Sequence, residues 1–203
     1  MRNKNIVKMA QIAMLMALVV VLQTVGTFVK VGAFNLSLVL IPIVIGGFLF
    51  GVKNGALLGG AFGVMALIYS ISGSDAGGFM MWQANWWLTA IVCLVKGVAA
   101  GWVSGWISTT LAKKEKSFLG ILLASIAAPV VNTGIFLVFL TTCYKDTLIS
   151  WAAGSGYGNS VSELATYILM GIVLVNFAFE LVTTTMLSPA TKRIIEAIRK
   201  TQR

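Results

Sequence analysis

The chain has 203 residues, of which 58% are hydrophobic and only 10% charged, with a formal net charge of +9 and no histidine. A soluble domain carries about 25% charged residues, so this composition describes an all-α polytopic membrane protein, one helical bundle with no room for a soluble domain. The absence of histidine removes the commonest metal ligand and the usual general base near neutral pH, and Cys93 and Cys143 lie too far apart in sequence to suggest a metal site.

In chain order, Arg2, Lys4 and Lys8 precede an apolar run over 9–29. That run is longer than the core of a signal peptide and lacks a small-x-small cleavage site, so a retained first helix is expected. After a polar break at 30–35, a second run over 36–50 is short for a span and contains Pro42, which predicts a tilted or kinked helix. A tight turn at 51–54 leads to a third helix over 55–71. Residues 72–87 combine helix breakers with Phe79, Trp82, Trp86 and Trp87, an interfacial pattern. The fourth helix spans 88–111. At ~1.5 Å rise per residue it covers about 36 Å against a hydrocarbon core of roughly 30 Å. A charged loop, Lys113 to Lys116, precedes a fifth helix over 118–142 that holds Pro129 and Asn132. A Gly/Ser-rich loop and a sixth helix over 163–187 follow. Pro189 ends that helix, and the basic tail can form a short surface helix with Ile194, Ile195 and Ile198 on one side.

Six spans put both termini on one side. Of the 15 lysines and arginines, all but Lys30, Lys96 and Lys145 fall at the termini, at Lys53 or in the 112–117 loop. The positive-inside rule therefore predicts cytoplasmic N and C termini and a single transmembrane domain over 1–203. The same distribution reads the basic charge as topology and a match to anionic lipid, with no nucleic-acid partner.

Glycines recur every four residues at Gly51, Gly55, Gly59 and Gly63, and again at Gly97, Gly101 and Gly105. Such stripes let helices approach closely. Ala13 and Ala17 form a shorter pair that suits packing inside the bundle or against another subunit. Lys96 lies inside the fourth span, where an ionisable side chain faces a partner or a wet cavity and marks a site by default. Asn132 and Asn176 fall at similar depth on the fifth and sixth helices, so a shared cavity is expected. Interhelical hydrogen bonding that merely joins the helices is the rival reading, as is a Lys96–Glu180 bridge. Catalysis has little support. No HExxH, GxSxG, paired carboxylates or phosphate-cradling loop is present, and no matching broken helices in the two halves suggest a secondary transporter.

The run FNLSLVLIPIVIGGFLFGVKNGALLGGAFGVMALI at 34–68 resembles the substrate-binding S component of energy-coupling factor (ECF) vitamin transporters. So do AMLMALVVVLQ in the first helix, WWLTAIVCLVKGVAAG, PVVNTGIF, and NFAFELV with LSPA. The resemblance covers nearly the whole chain and is greatest to the pantothenate-type group, with riboflavin carriers next. It implies a subunit that hydrolyses nothing itself and needs no cofactor or metal. Such a subunit captures a vitamin at the outer face of a bacterial cell membrane, under the loop between the first two helices. It docks through small residues of its first helix, here Ala13 and Ala17, on a membrane coupling subunit served by two cytoplasmic ATPases. On this reading Lys96, Asn132 and Asn176 face one outward-opening cavity, closed above by Asn35 and the loop carrying Gln83, Asn85, Trp86 and Trp87. Lysine favours an anionic group such as the carboxylate of pantothenate, and asparagine amides suit its amide and hydroxyls. A solo secondary transporter would instead take up substrate on a gradient alone, and a scaffold would bind no small ligand.

Overall fold

The computed structural model describes residues 4–28, 30–31, 34–35 and 38–201, with side chains described throughout these except at 4, 30–31, 34–35, 173–176 and 199–201. Helix α1 (Lys4–Phe28) leads into a two-residue-per-strand hairpin, β1 (Lys30–Val31) and β2 (Phe34–Asn35), paired antiparallel with Lys30 opposite Asn35. Then come α2 (Leu40–Phe50), α3 (Val52–Ser72), α4 (Ala76–Ala84), α5 (Trp86–Ala112) and α6 (Ser117–Cys143). The chain continues through α7 (Lys145–Gly154) into α8 (Val161–Tyr167), which runs on as a π-helical segment (Ile168–Phe177) into α9 (Ala178–Met186), and α10 (Ser188–Thr201) follows.

Four of these helices, α1, α3, α5 and α6, are long and apolar enough to cross a membrane. The six-span expectation therefore rests on two shorter runs: α2, and the stretch over α8, the π-helical segment and α9. Helix α2 begins late enough that Pro42 sits in its first turn, where the missing N–H has no intrahelical acceptor to lose, so the expected mid-helix kink has no cause. The turn into α3 is one residue, Gly51, at φ 89°, a conformation that a side chain disfavours. Gly51 thus leaves the stripe to which its spacing assigned it. The loops over 72–87 and 143–162 are not bare connections, because α4 and α7 lie within them. Pro189 lies in the first turn of α10, whose inward face is Thr191 and Ile195, while Ile194 is exposed.

The two glycine stripes meet. A Cβ on Gly55 would lie 2.6 Å from the Gly101 carbonyl oxygen. One on Gly59 would strike the Gly97 carbonyl, and one on Gly63 would come within 2.5 Å of the Cys93 carbonyl. Helices α3 and α5 therefore touch backbone to backbone, as small-xxx-small stripes permit. Gly47 of α2 extends the seam, its Cβ position 2.9 Å from the Cα of Gly105.

Two apolar cores flank the middle of the bundle. One gathers Leu15, Val19, Ile43, Phe48, Leu58, Phe62, Ile121 and Ile195 from α1, α2, α3, α6 and α10. The other gathers Met81, Val92, Leu140, Leu148, Trp151 and Tyr167 beneath the short helices α4, α7 and α8. Between them lies a polar cavity.

Candidate functional site

The cavity takes Phe62, Ala66 and Ser70 from α3, Gly78 and Met81 from α4, and Asp75 from just before α4. Helix α5 adds Thr89, Cys93 and Lys96, α6 adds Asn132, Thr133 and Phe136, and Gln23 of α1 and Glu180 of α9 complete the lining. Lys96 precedes Gly97, so the glycine seam sets the rotation of α5 and with it the direction of the lysine. Its ammonium lies 5.7 Å from the Phe62 ring centre and 5.3 Å from that of Phe136, within cation–π range of both. Lys96 makes no ion pair among the described residues. The Lys96–Glu180 bridge, the rival reading of the sequence, is therefore not formed.

The opposite wall is built around a proline. Pro129 has no N–H to bond the carbonyl four residues back, that of Ser125. Thr184 of α9 supplies the missing donor, its hydroxyl 2.8 Å from the Ser125 oxygen while also reaching the Glu180 carbonyl at 2.7 Å. This cross-helix bond fixes α9 against α6 one turn from Glu180. The buried Asn132 amide then donates to the Glu180 carboxylate at 3.5 Å, the long end of hydrogen-bond range. Asn132 Oδ1 is buried with no hydrogen-bond partner among the described residues, which costs about 1–3 kcal/mol unless a ligand or water satisfies it.

The mouth is roofed by α4. Asp75 precedes that helix, and Gly78 lets it settle on Ser70, since a Cβ there would lie 2.8 Å from the Asp75 carboxylate and strike the Ser70 hydroxyl. Behind the roof, Tyr144 donates to the Asn85 carbonyl at 3.0 Å and bonds the Thr89 hydroxyl at 2.7 Å. Burial pushes its phenol above the ordinary pKa, against the pull of the Thr89 hydroxyl, so it stays neutral. Trp151 of α7 donates to the Met80 sulfur at 2.9 Å, joining α7 to α4.

Of the residues singled out in the sequence, the cavity brings together Lys96 and Asn132, with Glu180 beside them. Asn85 caps α5 instead, its side chain accepting from the Leu88 N–H at 3.2 Å. Gln83, Trp86 and Trp87 are exposed and are not among the described lining residues. Asn35 lies in β2 and Asn176 in the π-helical segment, and their side chains are outside the described residues. Ala13 and Ala17 are exposed on α1, away from the cavity. Sequence reasoning passed over Gln23, Ser70, Asp75 and the two phenylalanines that flank Lys96. Asp75 reads as a helix breaker, and Phe62 and Phe136 read as ordinary apolar positions. The one available signal was the placement of Phe62 inside a glycine stripe, where a large side chain marks the edge of the packed seam.

No curated protein matches the chain. The family model of the ECF transporter substrate-specific component matches residues 7–194. Because that match starts in the first turn of α1 and ends inside α10, it takes in every helix around the cavity, and the chain belongs to the family of substrate-specific components of ECF transporters.

Proposed function

We propose that this substrate-specific component captures an acidic vitamin, pantothenate, at the outer face of a bacterial cell membrane and delivers it inward. Its partners would be a membrane coupling subunit and two cytoplasmic ATPases. The observation that carries the substrate reading is Lys96: a cation held mid-helix between two aromatic rings, facing a cavity, with no ion pair among the described residues. A ligand carboxylate would complete it, and the ligand's amide or hydroxyl protons would satisfy the orphan Asn132 Oδ1. The lysine and arginine distribution supports a six-span topology with cytoplasmic termini, in which the cavity opens outward beneath α4. Asn35, Gln83, Asn85, Trp86, Trp87 and Asn176 remain candidates for the closed, liganded state, in which the hairpin and the 72–87 segment would come down on the substrate. Exposure of Ala13 and Ala17 on α1 supports docking of the coupling subunit there.

Calorimetric titration of pantothenate into the purified protein tests the reading. A buried charge-assisted hydrogen bond contributes about 1.5–3 kcal/mol, so Lys96→Met is expected to weaken binding by about ten- to a hundredfold. Lys96→Arg is expected to restore it only in part, because the planar guanidinium has a different shape. Unchanged affinity in folded Lys96→Met would remove the lysine from the site. Absence of binding by the unaltered protein, with binding of a neutral vitamin instead, would overturn the acidic substrate.

A further inference from the structure

A second concavity lies on the far side of α5 from the glycine seam, toward the 112–117 loop. Ile107, Thr110 and Leu111 of α5 form one wall, Leu123, Ile126 and Val130 of α6 the other, and Trp106, 53% exposed, stands at the edge. Apart from Thr110 the walls carry no polar side chain. The loop that joins the two helices gives the groove a charged end. Helix α5 ends at Ala112 and α6 begins at Ser117. Lys114 and Lys116 therefore sit in the turn between the two walls, just past the lining residue Leu111.

The loop holds those lysines in place. The N–H groups of Lys114 and Lys116 both bond the Leu111 carbonyl at 3.1 Å, Glu115 bonds Ala112 at 3.2 Å, and Glu115 takes the left-handed turn at φ 59°. Lys114 and Lys116 are exposed and make no ion pair among the described residues. Lys113 adds a third positive charge, so Glu115 leaves the loop net cationic. Leu123 to Val130 lie about 10–20 Å along α6 from Lys116 at ~1.5 Å per residue, a depth comparable with one leaflet of a hydrocarbon core roughly 30 Å thick.

We infer that this groove is a binding site for one anionic phospholipid, with an acyl chain between α5 and α6 and its headgroup charge held by Lys114 and Lys116. A wholly apolar helix from a protein partner fits the walls but offers the two lysines no counter-charge. A zwitterionic lipid fits the walls and gains little from the lysines.

The test uses the full-length protein in phosphatidylcholine vesicles in which an equal share of either phosphatidylcholine or phosphatidylglycerol carries brominated acyl chains, which quench tryptophan on contact. Subtracting the signal of Trp106→Phe isolates Trp106. Its quenching is expected to be stronger with brominated phosphatidylglycerol, and the preference to fall by roughly fivefold for each lysine removed in Lys114→Gln and Lys116→Gln. Equal quenching by the two lipids would reduce the groove to ordinary lipid-facing surface and overturn the site. Absence of Trp106-dependent quenching by either lipid would mean that protein covers the groove, a second copy or the coupling partner, and would also overturn it. A preference that survives both lysine substitutions would overturn the role given to the loop.

Discussion

The two walls of the cavity are made in opposite ways. On the Lys96 side, α3 and α5 meet glycine to glycine, backbone against backbone along the seam. On the Glu180 side, α6 and α9 meet through polar atoms: the Thr184 hydroxyl on the carbonyl that Pro129 leaves free, and the Asn132 amide on Glu180. The first wall is close-packed backbone, which admits one spacing and resists change. The second is a small number of discrete bonds beside a π-helical segment, a feature that often accompanies functional sites in helices. The glycine wall sets the position of the lysine, and the polar wall sets the position of Glu180 and Asn132.

Breaking the rigid wall is expected to have the largest effect. Gly59→Leu puts a side chain where the Gly97 carbonyl stands, and backbone cannot yield as a side chain can. Destabilisation of about 3 kcal/mol or more, seen as loss of folded protein or a large fall in Tm in detergent, is expected. A normal Tm would show that the seam is looser than the structure has it.

Breaking the polar wall should cost less and be more local. Thr184→Val keeps the shape and leaves the Ser125 carbonyl buried without its donor, an expected loss of about 1–3 kcal/mol. Hydrogen exchange should speed up in α9 and leave α3 and α5 protected, and uniform loss across all helices would erase the distinction between the walls. Tyr144→Phe sharpens the comparison at the roof. It removes the bonds to Asn85 and Thr89 that tie α6 to the start of α5, for about 1 kcal/mol of stability, measured by thermal unfolding.

The smallest effect on stability is expected far from both walls. Ala13→Leu with Ala17→Leu alters exposed positions on a helix of which only 11% of the spanning window is buried. Stability should move by no more than about 0.5 kcal/mol, while co-purification with the coupling subunit is lost and substrate binding is kept. A matching loss of stability or binding would place these alanines inside the bundle and remove them as a docking face.

Composition and spacing were enough to establish a helical membrane protein, to mark two glycine stripes as faces for close helix approach, and to single out Lys96 as a residue that needs a partner or a cavity. Each of these is a local property. Hydrocarbon tolerates only apolar helices with satisfied backbone, a four-residue repeat defines a helix face in any context, and a lysine at that depth requires an explanation wherever it occurs. The depth argument also reached Asn132, because helix rise converts residue count into height. Height is not direction, however. Only the tertiary structure shows that Glu180 bonds Asn132 and not Lys96, that the carbonyl freed by Pro129 is met by Thr184, 55 residues further along the chain, and that Phe62 and Phe136 close on the lysine from two different helices. It also shows the π-helical segment before Glu180, which shifts the register of the sixth predicted helix with no marker in its composition. The rotation of one helix about its axis relative to another depends on which side chains pack between them, and no single segment contains that information.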